Sequence, residues 1–190
     1  MEFDTAIIGA GAAGMMCAGH LEGRTLVVDH AKAAGEKIRI SGGGRCNFTN
    51  LYTDAEAFIS QNPHFAKSAL ARYTQWDFIA LVEAHGIAWH EKTLGQLFCD
   101  HSAKDIIAML HSLMAARGVE LRLNSSVSDI AQTEAGFTFT LHTPDKTHRV
   151  NARNLIIATG GKSIPKMGAT GFAYDVARQF GIPVTDIRPA

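Results

Sequence analysis

The feature that most narrows the possible folds is the string Gly9-Ala10-Gly11-Ala12-Ala13-Gly14, set between the apolar run Ala6-Ile7-Ile8 and a stretch of small, flexible residues from Gly11 to Leu21. Phe3 to Gly9 reads as a short buried strand, because an unbroken apolar run ending at glycine is the signature of a strand covered on both faces. Gly11 to Leu21 reads as a helix packed closely on a sheet, with Gly23 able to end it. Thr25 to Asp29 (TLVVD) is a second buried strand. A strand, a tight glycine turn, a helix and a second strand within so short a span predict a βαβ unit, whose right-handed crossover makes the two strands parallel.

G-x-G-x-x-G alone is a weak signal; its place between strand and helix gives it meaning. Gly9 permits the tight turn, Gly11 lets a pyrophosphate approach, and Gly14 allows the helix to meet the strand, while Ala13 lies in the first turn of a helix whose N–H groups favour phosphate. Asp29 stands 18 residues after Gly11, at the end of TLVVD, where a carboxylate can accept hydrogen bonds from both ribose hydroxyls and would repel a 2′-phosphate. A dinucleotide is therefore the expected ligand.

A second glycine cluster follows in Ser41-Gly42-Gly43-Gly44-Arg45-Cys46-Asn47-Phe48-Thr49-Asn50. Residues 30 to 50 read as a functional loop with a helical turn near Glu36 to Ile40. Backbone N–H groups of Gly43 and Gly44 can lie against an anion, with Arg45 or Lys37 adding charge. On composition alone a flexible surface loop is the competing reading. It is not a plain P-loop, since no Gly-Lys-Ser/Thr opens a helix. Cys46 reads either as a reactive thiol or as a small packing residue, and no dithiol partner is apparent in the sequence.

From Asp54 to His85 apolar residues recur at helical spacing, including Phe58, Phe65, Leu70, Phe78 and Val82, which predicts a helical insertion at about 54–100. Ser102 and Asp105 form a capping box before the helix Ala103 to Arg117. Glu120 to Leu123 then reads as one more parallel strand, and Ser126–Ala131, Phe137–His142 and His148–Asn151 as a β-meander. Asn154 to Ala158 (NLIIA) is a third buried strand, placing Thr159 and Gly160 on the edge where ligands of open α/β sheets bind. Gly171 to Phe180 reads as a last helix. The expected class is α/β, a Rossmann-like FAD/NAD(P)-binding domain over 1–190 with a parallel sheet, a β-meander crossover and a helical insertion.

Composition limits the partners. Eighteen basic against eighteen acidic residues leave no net charge, so the positive field of a nucleic-acid or anionic-membrane binder is not expected, and a small-molecule substrate is. Three cysteines without metal-type spacing, and nine histidines without ligand spacing, point to no metal site and to a reducing cytoplasm. Glu2 and Asp4 stand where a signal peptide would carry positive charge.

A nicotinamide dehydrogenase runs quickly from its second strand to a third, whereas this chain interposes about 90 residues of loop and helix. That interrupted order is the order of flavoproteins related to glutathione reductase. The combination of GAGAAG, Asp29, ISGGGRCNFTN and IIATGG resembles a bacterial flavoprotein family that includes aminoacetone oxidase and the BaiN/YhiN-type reductases. The resemblance runs through all 190 residues, with SGGGRCNFTN its most specific element. It implies an FAD-dependent oxidoreductase, with NAD(P)H as a conceivable electron donor. It further implies that Gly9, Gly11, Ala13 and Gly14 face the FAD pyrophosphate and that Asp29 holds the adenosine ribose. Lys37 and the loop from Gly43 through Gly44, Arg45 and Cys46 to Asn47 would border phosphates and flavin. Val127 would offer backbone groups to adenine, and Thr159 and Gly160 would close the site. Family members carry a substrate domain and a final flavin-facing segment beyond this sequence, so the expected chain is an incomplete flavin site, prone to self-association and without turnover by itself. A non-catalytic nucleotide-binding fragment and an NAD-dependent dehydrogenase are the alternative readings. No side chain is assigned a catalytic role, because flavin carries the hydride chemistry.

Overall fold

The computed structural model describes residues 1–162 and 170–187. They form two compact units, one of Met1–Glu36 with Leu110–Ala190, the other of Lys37–Met109.

The first unit is built on a six-stranded sheet in the order β6-β2-β1-β9-β8-β7. β1 (Glu2–Ile8) and β2 (Thr25–Val28) flank α1 (Ala12–Ala18) in sequence and pair in parallel, with Thr5 opposite Thr25 and Ile8 opposite Val28. β6 (Glu120–Arg122) adds to β2, and β9 (Thr147–Ile157) to β1, both in parallel. Successive side chains of a strand face opposite sides. Ala6, Ile8, Leu26 and Val28 join Phe139, Leu141 and Val150 in one buried cluster, and Ile7 and Val27, facing the other way, are also fully buried. Burial on both faces is what unbroken apolar runs such as AII and LVV require.

β7 (Ser126–Thr133), β8 (Gly136–His142) and the first part of β9 form the antiparallel meander. The sequence suggests two strands at 148–151 and 154–158; the structure has a single strand, because residues around Asn151 and Ala152 pair with β8 on one side and β1 on the other. The β8 ladder ends at Ala152, so Leu155 to Ile157 are bonded to β1 alone and are half-buried instead of buried. α6 (Phe172–Gln179) covers the meander with Val176, and Phe180 meets Phe137 edge-on at 5.8 Å.

The second unit is not purely helical. Between α2 (Glu36–Ile40) and α5 (Ala103–Ala116) it holds a three-stranded antiparallel sheet in the order β3-β5-β4, from Asn47–Asn50, Gln96–Cys99 and Trp89–Glu91. Such short strands carry too little alternation to be told from loops. α4 (Gln75–Ala84) starts at a Thr74/Asp77 capping box and buries Ile79 and Val82, while Phe48 sits edge-on to Phe78 and Trp89. α5 opens as expected, with Lys104 N–H donating to Ser102 Oγ and Ser102 N–H to Asp105 Oδ2. The expected apolar stripe over 54–85 divides. Phe78 and Val82 contribute to packing, whereas α3 (Lys67–Arg72) buries no residue, and Phe58 and Phe65 stand exposed.

Candidate functional site

The glycine turn joins the carboxyl end of β1 to α1, the end of an open parallel sheet at which ligands bind. Gly9 has φ +114° and sits so close to β9 that a side chain there would collide with Ala158 O and with Thr159 N, the latter at 2.9 Å. Gly14 is equally constrained, since a Cβ would overlap Gly9 O. Gly11 differs. It has an extended backbone (φ −85°), and a Cβ placed on it would meet nothing within 4 Å. Gly9 and Gly14 are thus fixed by the protein's own packing, while Gly11 borders open space at the start of α1, a helix that no side chain caps. Ala13 is exposed on the same turn of helix.

Asp29 follows β2 and reaches back to this turn. Its Oδ2 accepts the Ala10 N–H at 2.6 Å and its Oδ1 accepts the Ala31 N–H at 2.8 Å. Gly35 N–H donates to Ala10 O, and Gly9 N–H to Val28 O, so the loop is braced from both sides. A carboxylate has about four acceptor positions; two take these N–H groups, and the His30 ring stands 3.5 Å from Oδ1. The brace involves backbone donors, so the residue types of the sequence do not announce it.

Ser125 N–H donates to Asp29 O and Asn124 N–H to Ala31 O. These bonds bring the start of β7, two residues before Val127, to the Asp29 end of the sheet; Val127 itself is half-buried opposite Leu141. Thr159 and the positive-φ Gly160 follow β9 beside Gly9. Gly9, Gly11, Gly14, Asp29, Val127 and Thr159 therefore belong to one edge of the first unit.

Lys37, Gly43, Gly44, Arg45, Cys46 and Asn47 belong to the second unit. Lys37 is exposed on α2. The three glycines of the loop have φ +56°, +66° and +87°, a left-handed turn that only glycine adopts without strain. Gly42 is the crowded member, since a Cβ there would lie 2.6 Å from Asn47 N and 2.7 Å from the Phe98 ring. Gly43 and Gly44 border open space, and Arg45 is exposed. Asn47 opens β3 opposite Phe98.

Cys46 is buried at a positive φ of +54°, its N–H on Ser41 O. Burial pushes its thiol pKa up, with Ser41 opposing the shift. Cys99, whose N–H donates to Arg45 O, is pushed up to about 12 by burial and by neighbouring Cys46. Thiols held protonated are poor nucleophiles, which favours the packing reading of Cys46. Among the described residues no group of three His, Cys, Asp or Glu could hold a metal, and no helix is long and apolar enough to cross a membrane.

A cavity of about 520 Å³ opens at the other end of β1, lined among others by Glu2, Asp4, Arg24 and Arg153. Its charged groups already have partners, Arg153 lying 3.5 Å from Asp4, Arg24 3.8 Å from Glu120, and Glu2 accepting from Asn151 Nδ2 at 2.7 Å. It also lies away from the carboxyl ends of the parallel strands, so the glycine edge is the better candidate.

A buried parallel sheet with a glycine turn at its carboxyl edge and an acid at the end of the second strand defines a Rossmann-type dinucleotide-binding domain. The chain belongs to the family described as HI0933-like protein Rossmann domain, whose model matches residues 3–187. It is 56% identical over 190 residues to a ribosomal RNA dihydrouridine synthase of Escherichia coli K12, covering 98% of this chain and 46% of that protein. A protein of the same name from Haemophilus influenzae Rd is 51% identical over 183 residues, 94% of this chain and 45% of the relative. At 25% identity over 191 residues, 97% of this chain and 45% of the relative, it also matches a 3-dehydro-bile acid delta(4,6)-reductase of Clostridium scindens. The chain thus spans about half the length of these relatives. Among solved structures, a flavocytochrome c3 fumarate reductase shares the fold, with a TM-score of 0.62 and 19% identity over 94% of this chain and 40% of that one. The motifs together resemble a family that includes aminoacetone oxidase and the BaiN/YhiN-type reductases; the two relatives above 50% identity are not named aminoacetone oxidases, while the Clostridium scindens relative is named a reductase.

Proposed function

We propose that this chain is the FAD-binding part of a flavin-dependent reductase that converts uridine to dihydrouridine in ribosomal RNA, with NAD(P)H as the electron donor. The observation that carries the reading is 56% identity over 190 residues to the Escherichia coli protein of that name; the open space at Gly11 and the Asp29 brace of the glycine turn support its dinucleotide part.

The site fits FAD. Gly11 leaves the space a pyrophosphate needs, and Asp29 keeps acceptor positions for the adenosine ribose. Ala13 lines the same turn, Val127 offers backbone groups to adenine, and Thr159 and Gly160 close the edge. Lys37 and the loop Gly43 to Asn47 are assigned to the phosphate and flavin border. The chemistry FAD supplies when bound is hydride delivery, which with one proton saturates the C5=C6 bond of a uracil ring.

An RNA substrate replaces the small organic molecule suggested by the chain's neutral composition. Net charge is a sum and does not report how charge is segregated along a surface. The reading is tested by deleting the gene and digesting ribosomal RNA to nucleosides. Mass spectrometry should show dihydrouridine lost from the ribosomal RNA and restored by re-expression; unchanged dihydrouridine would contradict the substrate assignment.

A further inference from the structure

We propose that His30 and the nucleotide compete for one carboxylate. With the imidazole neutral, Asp29 is open to the adenosine ribose; with it protonated, the imidazolium takes an acceptor position on Asp29 and FAD binds more weakly. This rests on the dinucleotide part of the reading above and gives His30 control of that subsite.

The side chain of Asp29 is 15% exposed and is engaged at both oxygens, Oδ2 with the Ala10 N–H at 2.6 Å and Oδ1 with the Ala31 N–H at 2.8 Å. Each carboxylate oxygen has about two acceptor positions, so one on each is left for the two ribose hydroxyls. His30 Nδ1 stands 3.5 Å from Oδ1, and its side chain is 63% exposed. That separation is long for a hydrogen bond, and a small turn of an exposed ring closes it. A neutral imidazole gains little by closing it. An imidazolium gains a charge-assisted hydrogen bond, the stronger kind, and the Oδ1 position it takes is one that the ribose needs.

The elements around the pair leave this contest to His30. Gly9 to Ala18, which form the glycine turn and α1, contain no charged residue, and neither do Leu123 to Val127, which lead into β7. Arg122, whose carbonyl accepts the Asp29 N–H, has its guanidinium on Glu120 at 2.7 Å. Lys32 and Glu36 follow on the loop after His30. Histidine is the side chain that ordinarily changes charge between about pH 5 and pH 8. An imidazolium also attracts a pyrophosphate at Gly11, but through water that attraction is screened, whereas the contest for Oδ1 takes place at contact.

The test is titration of the flavin-free protein with FAD, whose pyrophosphate keeps its charge over this range, at about pH 8 and about pH 5.5, followed by flavin fluorescence. The parent should bind FAD about tenfold more weakly at the lower value, the equivalent of one hydrogen bond to a charged group. His30→Gln, which takes up no proton, should bind with one affinity at both values, and His30→Lys, charged at both, should bind weakly at both. Linkage gives a second readout: if the proton weakens FAD binding, FAD weakens proton binding by the same factor. The NMR signal of the His30 ring, assigned by its loss in His30→Gln, should therefore titrate about one pH unit lower with FAD bound. Equal binding by the parent at both values, tighter binding at the lower one, an unshifted ring titration, or the same pH dependence in His30→Gln would overturn the role of His30 and leave FAD binding at the glycine edge standing. Failure of the parent to bind FAD at the higher value would overturn both.

Discussion

Asp29 Oδ2 accepts the backbone N–H of Ala10 at 2.6 Å, so the acid proposed to read a ribose also holds the glycine turn proposed to meet the pyrophosphate. One side chain thereby couples the two halves of the dinucleotide edge. Asp29→Ala should cost about 1 to 3 kcal/mol in FAD or ADP binding, the range for hydrogen bonds to a charged group. It should also lower the melting temperature of the ligand-free protein, because Ala10 and Ala31 lose their acceptor. Calorimetric titration and thermal unfolding check the two effects; unchanged affinity would remove Asp29 from the site.

Gly42 and Gly43 separate backbone strain from collision. Both have positive φ, so alanine at either should cost about 1 kcal/mol. Gly42→Ala should cost clearly more, since its methyl group would press on Asn47 N and the Phe98 ring, whereas Gly43 borders open space. Urea unfolding of the two variants measures the difference, and equal losses would contradict the geometry of the loop.

The buried thiols give a pH dependence. Cys46 and Cys99 are both raised above the ordinary thiol value of 9.0, Cys99 to about 12. The unfolded chain releases these protons first, so their contribution is intact below the ordinary thiol value of 9.0 and is lost as pH rises above it, for Cys99 up to about 12. The loss should not exceed about 1.4 kcal/mol per pH unit for each thiol. Cys99→Ala should flatten this slope. At neutral pH a thiol reagent should modify Cys46 and Cys99 only on unfolding; rapid modification of the native protein would refute their burial.

How far the sequence discloses the molecule depends on whether a feature is periodic or purely three-dimensional. AII, LVV and the capping box at Ser102 state β1, β2 and α5 directly. The glycine turn is also legible, because Gly9 and Gly14 stand where a side chain would collide with backbone, while its role in holding a dinucleotide is the proposal. Three features are not. The small sheet of β3, β4 and β5 has strands too short for alternation to emerge. Phe58 and Phe65 keep a helical spacing that mimics a buried stripe, while no core lies beneath them. The fusion of 148–151 with 154–158 into β9 depends on which neighbours pair on each side, which no local pattern records.

Thr25 is fully buried in β2, and its Oγ1 finds no hydrogen-bond partner among the described residues. An unpaired buried hydroxyl costs about 1 to 3 kcal/mol. Thr25→Val, which keeps the shape, should therefore raise the melting temperature; a lowered one would mean that the hydroxyl is satisfied in solution.

Gly11→Val, read by FAD retention and by thermal unfolding of the same samples, tests the central claim most directly. A side chain at Gly11 meets no protein atom within 4 Å, and its φ of −85° is open to valine, so the fold should survive. The same side chain would fill the space assigned to the pyrophosphate. The account predicts a melting temperature close to that of the ligand-free parent together with loss of FAD binding. A variant that folds and binds FAD as the parent does would show that the glycine turn is a feature of packing alone and that the nucleotide lies elsewhere.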